Sequence, residues 1–316
     1  GAILTRIASS HIRVGTFQYI AAKQNIEELK LLMNFTIDRH FPEIKSSNNK
    51  ALDLLNLLME KQCNLVINWM RVGFIHGVMN TDNMTVSGQT IDYGPCAFMD
   101  HYNAKTVFSS IDKFGRYSFS NQPKITKWNL ARFAECLIPL IDENEDSAIK
   151  KASEVIDNFE KIYEEKWLNM MRDKLGLFGE DKEDKKLIND LLNWMELNKI
   201  DYTNTFCYLM NVKTPEINCY KTNEFIHWIN RWKKRLNLKE NSSSKYLDLM
   251  RNSNPIVIPR NHKVEEALNA ANENNLELLE NLLIVLEKPY NYQDKIINFK
   301  SPAPLGNKEY QTFCGT

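Results

Sequence analysis

The stretch that decides the fold is FIHGVMNTDNMTVSGQTIDYGP, which occupies residues 74–95. Within four consecutive residues of it, Asn80, Asp82 and Asn83 supply three short side chains that carry oxygen atoms. A further carboxylate, that of Asp92, follows near the end of the stretch. Such oxygen ligands suit Mg²⁺, which takes one or two carboxylates and completes its shell with water and substrate phosphates. The stretch therefore predicts a metal site.

A small β-hairpin is predicted between the two polar loops of this stretch. Residues 84–86 and 89–91 would form its two short strands, joined by a tight Ser-Gly turn. The hairpin would bring the loop around Asp82 next to the Asp-Tyr-Gly triplet that begins at Asp92.

The spacing is that of a kinase-like active site, which has a catalytic Asp, an Asn five residues later and a hairpin that ends in Asp-Phe-Gly. The loop opens with His76 and a glycine, as in the His-Gly-Asp loop of aminoglycoside kinases; we expect His76 to tie the loop to the backbone and not to carry protons. Asn83 and Asp92 stand at the two metal-binding positions. Val78 stands where the catalytic Asp is usual and cannot accept a proton, whereas a different acid, Asp82, lies beside the Asn. The pattern indicates a pseudokinase or a kinase fold with altered chemistry.

Composition excludes several other classes of function. The 316 residues are 43% hydrophobic and 25% charged, and Lys+Arg and Asp+Glu are both 40. A net charge of zero argues against a general nucleic-acid binder, which would show a basic excess. No apolar run approaches the length of a membrane span, and no signal peptide is apparent. We therefore expect neither nucleic acid nor membrane among the partners.

The six cysteines are scattered and form no CxxC pair, which argues against a zinc site. Several lie within apolar helical patterns, where a buried thiol is expected, and a reducing compartment fits best.

Helical periodicity dominates the chain, so the predicted fold class is mainly α with a small β-hairpin, made of a protein-kinase-like C-lobe and a helical C-terminal extension. Predicted helices cover residues 17–40, 52–70, 123–142, 152–170, 187–197, 225–236 and 276–286, with a break at 252–255 and a new helix from 259–262. The C-lobe is assigned to residues 1–142, with a catalytic loop at 76–84, a metal loop at 92–95 and an activation-type segment at 96–122. Residues 143–288 form the extension, and residues 289–316 form an irregular tail that could dock.

Arg6 and Arg13 are seven residues apart, so on a helix they would share a face. Taken alone, two such arginines indicate a solvated helix surface.

Several ordered motifs resemble the selenoprotein O (SelO) family along the whole chain. They are GAILTRIASSHIRVGTF, HGVMNTDNM, TIDYGPCAFMD, SNQPKITKWNLARFA, NPIVIPRNHKVEEA and the terminal TFCGT. Members of this family are protein adenylyltransferases with a pseudokinase fold.

The resemblance implies a role for each candidate residue. Asp82 would be the catalytic base, Asn83 and Asp92 would bind the metal, and Arg6 and Arg13 would hold the ATP phosphates, with Asp92 also contributing to the nucleotide site. ATP would lie reversed relative to kinases, so that AMP is transferred to Ser, Thr or Tyr hydroxyls of proteins and pyrophosphate leaves. The implied ion is Mg²⁺, with Mn²⁺ as an alternative. The compartment would be cytoplasmic in a bacterium and mitochondrial in a eukaryote.

The chain begins with Gly1 and lacks the N-lobe of the family, so we expect a fragment that is active only with that lobe. A catalytically incomplete pseudokinase scaffold or binding module is one alternative, and an ordinary kinase that transfers the γ-phosphate is another. The resemblance also points to a redox role for Cys314, for which Cys96 is a conceivable partner; two unrelated thiols are the simpler interpretation.

Overall fold

The computed structural model describes residues 3, 5–215, 218–236, 243–291, 294–304 and 310–313. The fold is mainly helical, with one small antiparallel sheet. Its helices are α1 Val14–Ala21, α2 Ile26–His40, α3 Lys50–Val72, α4 Gln122–Ile141, α5 Glu145–Asp157, α6 Phe159–Lys174, α7 Asp184–Leu197, α8 Tyr202–Leu209, α9 Asn223–Leu236, α10 Ser243–Ser253, α11 Asn261–Asn272 and α12 Glu277–Leu286. The two strands are β1 Phe74–Ile75 and β2 Ala97–Phe98.

Helix α3 is the centre of the N-terminal part. The Asn49 side chain caps it by accepting from the Leu52 amide, and Gly73 ends it in the left-handed conformation with φ 75°. Its apolar face packs against α4, and the amide of Asn49 also donates to the Ile141 carbonyl at the end of that helix. The chain therefore leaves α3 at a fixed point and passes directly through β1 into the loop at His76.

The predicted hairpin at residues 84–91 is wrong, although its tight turn forms. Strand β1 pairs instead with β2, with Phe74 opposite Phe98. Thr85 forms an isolated antiparallel bridge with Arg13, flanked by hydrogen bonds from Val14 N to Met84 O and from Val86 N to Ile12 O. Residues 84–86 thus pair with a segment some seventy positions away in the sequence, which local alternation of side chains does not reveal.

Most predicted helices are confirmed, but two of them divide. Residues 17–40 form α1 and α2, separated by a turn in which Gln24 has φ 55°. The predicted helix at 152–170 falls into α5 and α6, which meet at Asn158. Helix α8 was missed because it is buried on nearly every side, including Thr203, Asn204 and Thr205, so that its sequence has no amphipathic period.

Buried polar contacts join the C-terminal helices to the sheet. Arg260, which is 1% exposed, donates from Nη1 to Asp100 and to Asp201, both at 2.6 Å. The neighbouring Asn261 side chain hydrogen-bonds both the N–H and the carbonyl of Phe98 in β2. The residues at the start of α11 therefore hold β2, and with it the segment that follows the metal loop.

The described part of the tail contacts the rest of the chain through Thr312. Thr312 donates its N–H to Phe108 O at 2.8 Å and its hydroxyl to Pro95 O at 2.7 Å. Among the described residues, no helix combines the length and the apolar character that crossing a membrane requires.

Replacing Arg260 with Met is expected to lower the free energy of unfolding by about 3–5 kcal/mol, because Asp201 would stay buried without its partner. Urea unfolding measures the change. The same substitution at Arg251, whose ion pair with Asp248 is exposed, is the control and should change stability little. Equal stability of the two variants would contradict a structural role for the buried pair.

Candidate functional site

His76 fixes the start of the catalytic loop. Its side chain is fully buried, and Nε2 lies 2.8 Å from the Ile91 carbonyl, which identifies Nε2 as the protonated ring nitrogen. Burial lowers the pKa of His76, although the Ile91 carbonyl and the nearby Asp92 charge act in the opposite direction. A neutral histidine bonded to the residue before Asp92 ties the two loops together, as expected.

Polar side chains on the two flanking helices hold the rest of this loop. The Gln122 side chain accepts from the His76 N–H and donates to the Phe74 carbonyl, both at 3.0 Å. Asn129 donates to Met79 O at 2.8 Å. Further bonds run from Gln62 to Thr85 O and from Trp69 Nε1 to Thr90 Oγ1. The sequence analysis did not identify these residues. Their side-chain amides within otherwise apolar helices could have indicated that they bond a buried loop.

Gly77 brings the catalytic loop into backbone contact with the metal loop. Its φ is 85°, which side chains rarely tolerate, and a Cβ at this position would lie 2.6 Å from Pro95 O. Two independent reasons therefore require glycine after His76.

Asn83 and Asp92 present oxygen atoms suited to a hard cation. The Asn83 amide donates to Val78 O at 2.9 Å, an orientation that leaves Oδ1 for another ligand. Asp92 has φ 60°, a left-handed conformation that Asp tolerates better than most residues, and its side chain is 28% exposed. Among the described residues there is no cluster of three or more His, Cys, Asp or Glu that could hold a metal. One carboxylate and one amide oxygen nevertheless fit the Mg²⁺ preference for few protein ligands.

A cavity of about 1020 Å³ brings Arg6, Arg13 and Asp92 together. Arg6 Nη2 lies 4.0 Å from Asp92 Oδ1, and the Arg13 Nε is buried with no hydrogen-bond partner among the described residues. The expectation that the two arginines share a helix face is wrong, because residues 5–12 are not helical and Arg13 is the N-cap of α1. They face one cavity because the Arg13–Thr85 bridge and a hydrogen bond from Ser9 N to Gln89 Oε1 hold the segment against the loop.

Asp82 and Asn83 do not line this cavity. Both belong to the short 3₁₀ helix Thr81–Asn83, in which Asp82 is exposed and lies against the first turn of α1. Arg13, which lines the cavity, is the N-cap residue of the same helix, so α1 contacts both the cavity lining and Asp82.

Cys96 follows the metal loop directly. Burial and then the nearby Asp92 charge raise its pKa to about 11, with a backbone hydrogen bond acting in the opposite direction. Cys96 forms no disulfide with any described cysteine, and Cys314 lies outside the described residues.

Comparison with known proteins identifies the family. The family model described as protein adenylyltransferase SelO matches residues 1–287. The protein nucleotidyltransferase YdiU of Pelagibacter ubique is 64% identical to this chain, that of Nitrosococcus oceani 53% and that of Bacillus mycoides 50%. The chain belongs to the SelO family.

These matches cover 100% of the chain and 65%, 64% and 65% of the three relatives, so the chain spans slightly less than two thirds of their length. The expectation of a fragment that lacks an N-lobe is not supported and is withdrawn, because each match extends over the whole chain.

His76 should make stability depend on pH. Its folded pKa lies below the unfolded value of about 6.5, so the unfolded state binds more protons as the pH falls through that value and stability decreases. In His76→Gln the loss between pH 7.5 and 5.5 should be roughly 1 kcal/mol smaller, as measured by urea unfolding at both pH values. The control is His227→Gln, at an exposed position. Identical pH dependence in wild type and His76→Gln would contradict the assignment.

Proposed function

We propose that this SelO-family chain carries the site of an ATP- and Mg²⁺-dependent protein adenylyltransferase, which transfers AMP from ATP to Ser, Thr or Tyr hydroxyls of proteins. The observation that carries the proposal is that Arg6, Arg13 and Asp92 line one cavity while Val78 occupies the position of the usual kinase base. Residues 1–142 would act as a kinase-like C-lobe, and residues 143–288 would act as an extension that stabilises it.

The two arginines are suited to the terminal phosphates of ATP. A guanidinium offers paired N–H donors that match phosphate oxygens, and Arg13 already has a buried Nε without a partner among the described residues. Held in this way, the β- and γ-phosphates become the leaving group, and the arginine charges stabilise the negative charge that develops on pyrophosphate.

Asn83 and Asp92 would hold the metal ion. When bound, Mg²⁺, or Mn²⁺ in its place, would neutralise phosphate charge and polarise the α-phosphoryl group. Two contacts support this assignment: the Asn83 amide donates to Val78 O, which leaves its Oδ1 free to face a cation, and the His76 ring bonds the carbonyl of Ile91, the residue before Asp92.

Asp82 would be the general base. The target hydroxyl oxygen forms a bond to the α-phosphorus, the bond from that phosphorus to the bridging oxygen breaks, and the hydroxyl proton passes to the Asp82 carboxylate. An exposed carboxylate on a short turn is accessible to a protein substrate, whereas Val78 offers no acceptor on its side chain. The relatives' name, protein nucleotidyltransferase, supports transfer of a nucleotide without specifying which one.

ATP labelled at the α-phosphate should label protein substrates of the enzyme, and ATP labelled at the γ-phosphate should not. Asp82→Ala should lower α-label transfer about 10²–10⁴-fold, because a positioned base is lost. Asp248→Ala, an exposed Asp on α10, is the control. Transfer of the γ-label would identify an ordinary kinase, and undiminished transfer by Asp82→Ala would remove Asp82 from the mechanism.

Binding of Mg·ATP tests the arginines separately from the chemistry. Arg13→Ala should weaken binding roughly 10–100-fold, since hydrogen bonds to charged groups contribute about 1.5–3 kcal/mol. Isothermal titration calorimetry measures this directly, with Asp92→Ala as a second site variant and the exposed Arg251→Ala as control. No binding by the wild type would instead favour a non-catalytic binding module.

A further inference from the structure

We infer that Gly15 is a positioning residue for Asp82: the missing side chain at Gly15 lets the Asp82 carboxylate lie directly against the first turn of α1. The inference deepens the proposed function and rests on it, since it gives Asp82 the role of base. Gly15 itself touches no substrate.

The geometry at Gly15 leaves no space for a methyl group. A Cβ built there would overlap Oδ1 of Asp82 and would lie 3.2 Å from its Cγ and 3.5 Å from its Cα. The close approach involves the carboxylate and the backbone of Asp82 together, so the whole residue is seated on the helix at this point.

The backbone of Gly15 gives no other reason for a glycine. Its φ is not positive, in contrast to Gly77 and Gly88. Glycine inside a helix costs about 0.5–1 kcal/mol relative to alanine, so a glycine at this position is a disadvantage for α1 by itself. The amide end of a helix favours a nearby carboxylate, which gives the close approach an electrostatic benefit.

Helix α1 cannot move away to relieve a clash. Its first residue, Val14, donates to Met84 O at 2.9 Å, and Val86 N donates to Ile12 O at 3.0 Å on the other side of the Arg13–Thr85 bridge. This pairing joins the start of α1 to the loop that carries Asp82. A methyl group at Gly15 would therefore be accommodated by rotation of the short Asp82 side chain, which displaces the carboxylate and leaves the fold intact.

The same turn links the base to the proposed phosphate site. Arg13 is the N-cap residue of α1, two residues before Gly15, so the Arg13 backbone and the contact with Asp82 both belong to the start of one helix. Misplacement of a reacting group by about 1 Å can cost about 10²-fold in rate.

Gly15→Ala is expected to lower kcat for group transfer roughly 10–100-fold, while KM for ATP and the melting temperature stay at or slightly above the wild-type values. Gln18→Ala, in the same helix, is the control and should leave all three unchanged. A loss of melting temperature together with a higher KM would show a structural role and overturn the inference, as would unchanged kcat.

A double-mutant cycle with Asp82→Ala decides whether the effect passes through Asp82. In the Asp82→Ala background there is no carboxylate to displace, so Gly15→Ala should have no further effect on the residual rate. An equal effect in both backgrounds would overturn the inference.

Failure of the proposed function gives a different result. If the γ-phosphate is transferred in place of AMP, the proposed reaction fails. The double-mutant cycle is then measured on γ-phosphate transfer and still tests the role of Gly15. If Asp82→Ala is fully active, the base assignment and the inference both fail. If Asp82→Ala is impaired and Gly15→Ala is not, only the inference fails.

Discussion

The site depends on how the backbone of residues 76–91 satisfies its hydrogen bonds. Much of this loop is buried, yet apart from one 3₁₀ turn and one bridge it has no regular pairing of its own. An unpaired buried peptide group costs about 1–3 kcal/mol, so partners must come from elsewhere. Gln122, Asn129 and the His76 ring provide several of them from fixed positions. These contacts hold the backbone on both sides of Asn83 and the residue that precedes Asp92.

The C-terminal helices belong to the same arrangement. Arg260 and Asp201 are both desolvated and lie 2.6 Å apart, with a further bond from Arg260 to Asp100, and a buried pair of this kind tolerates little displacement. Asn261, the residue after Arg260, accepts a hydrogen bond from Phe98 N in β2. The Thr312 hydroxyl of the tail donates to Pro95 O at the end of the metal loop. The metal loop is therefore contacted at Pro95 both by Gly77 of the catalytic loop and by Thr312 of the tail.

The sequence predicts those features that repeat locally. Helices α3, α4, α7 and α12 show their buried face as a helical period, and the Asn-Asp loop carries oxygen ligands in its residue types. The pairing of residues 84–86 with the segment around Arg13 is non-local, so the local strand pattern led to the wrong hairpin. For the same reason the spacing of Arg6 and Arg13 led to the wrong conformation, even though both line one cavity. The contact between Gly15 and Asp82 could not be predicted, because the sequence does not show which glycines make space for a distant side chain.

The charges of the site differ in how firmly they are engaged. Arg6 and Asp92 are 4.0 Å apart with 56% and 28% of their side chains exposed, and a long ion pair of this kind contributes little stability. Phosphate oxygens and a metal ion could therefore replace the two partners at small cost. Asp82 lies against the first turn of α1, and none of the ion pairs found among the described residues includes it. A carboxylate without a cationic partner leaves its oxygens accessible to a substrate hydroxyl, as the proposed role of Asp82 requires.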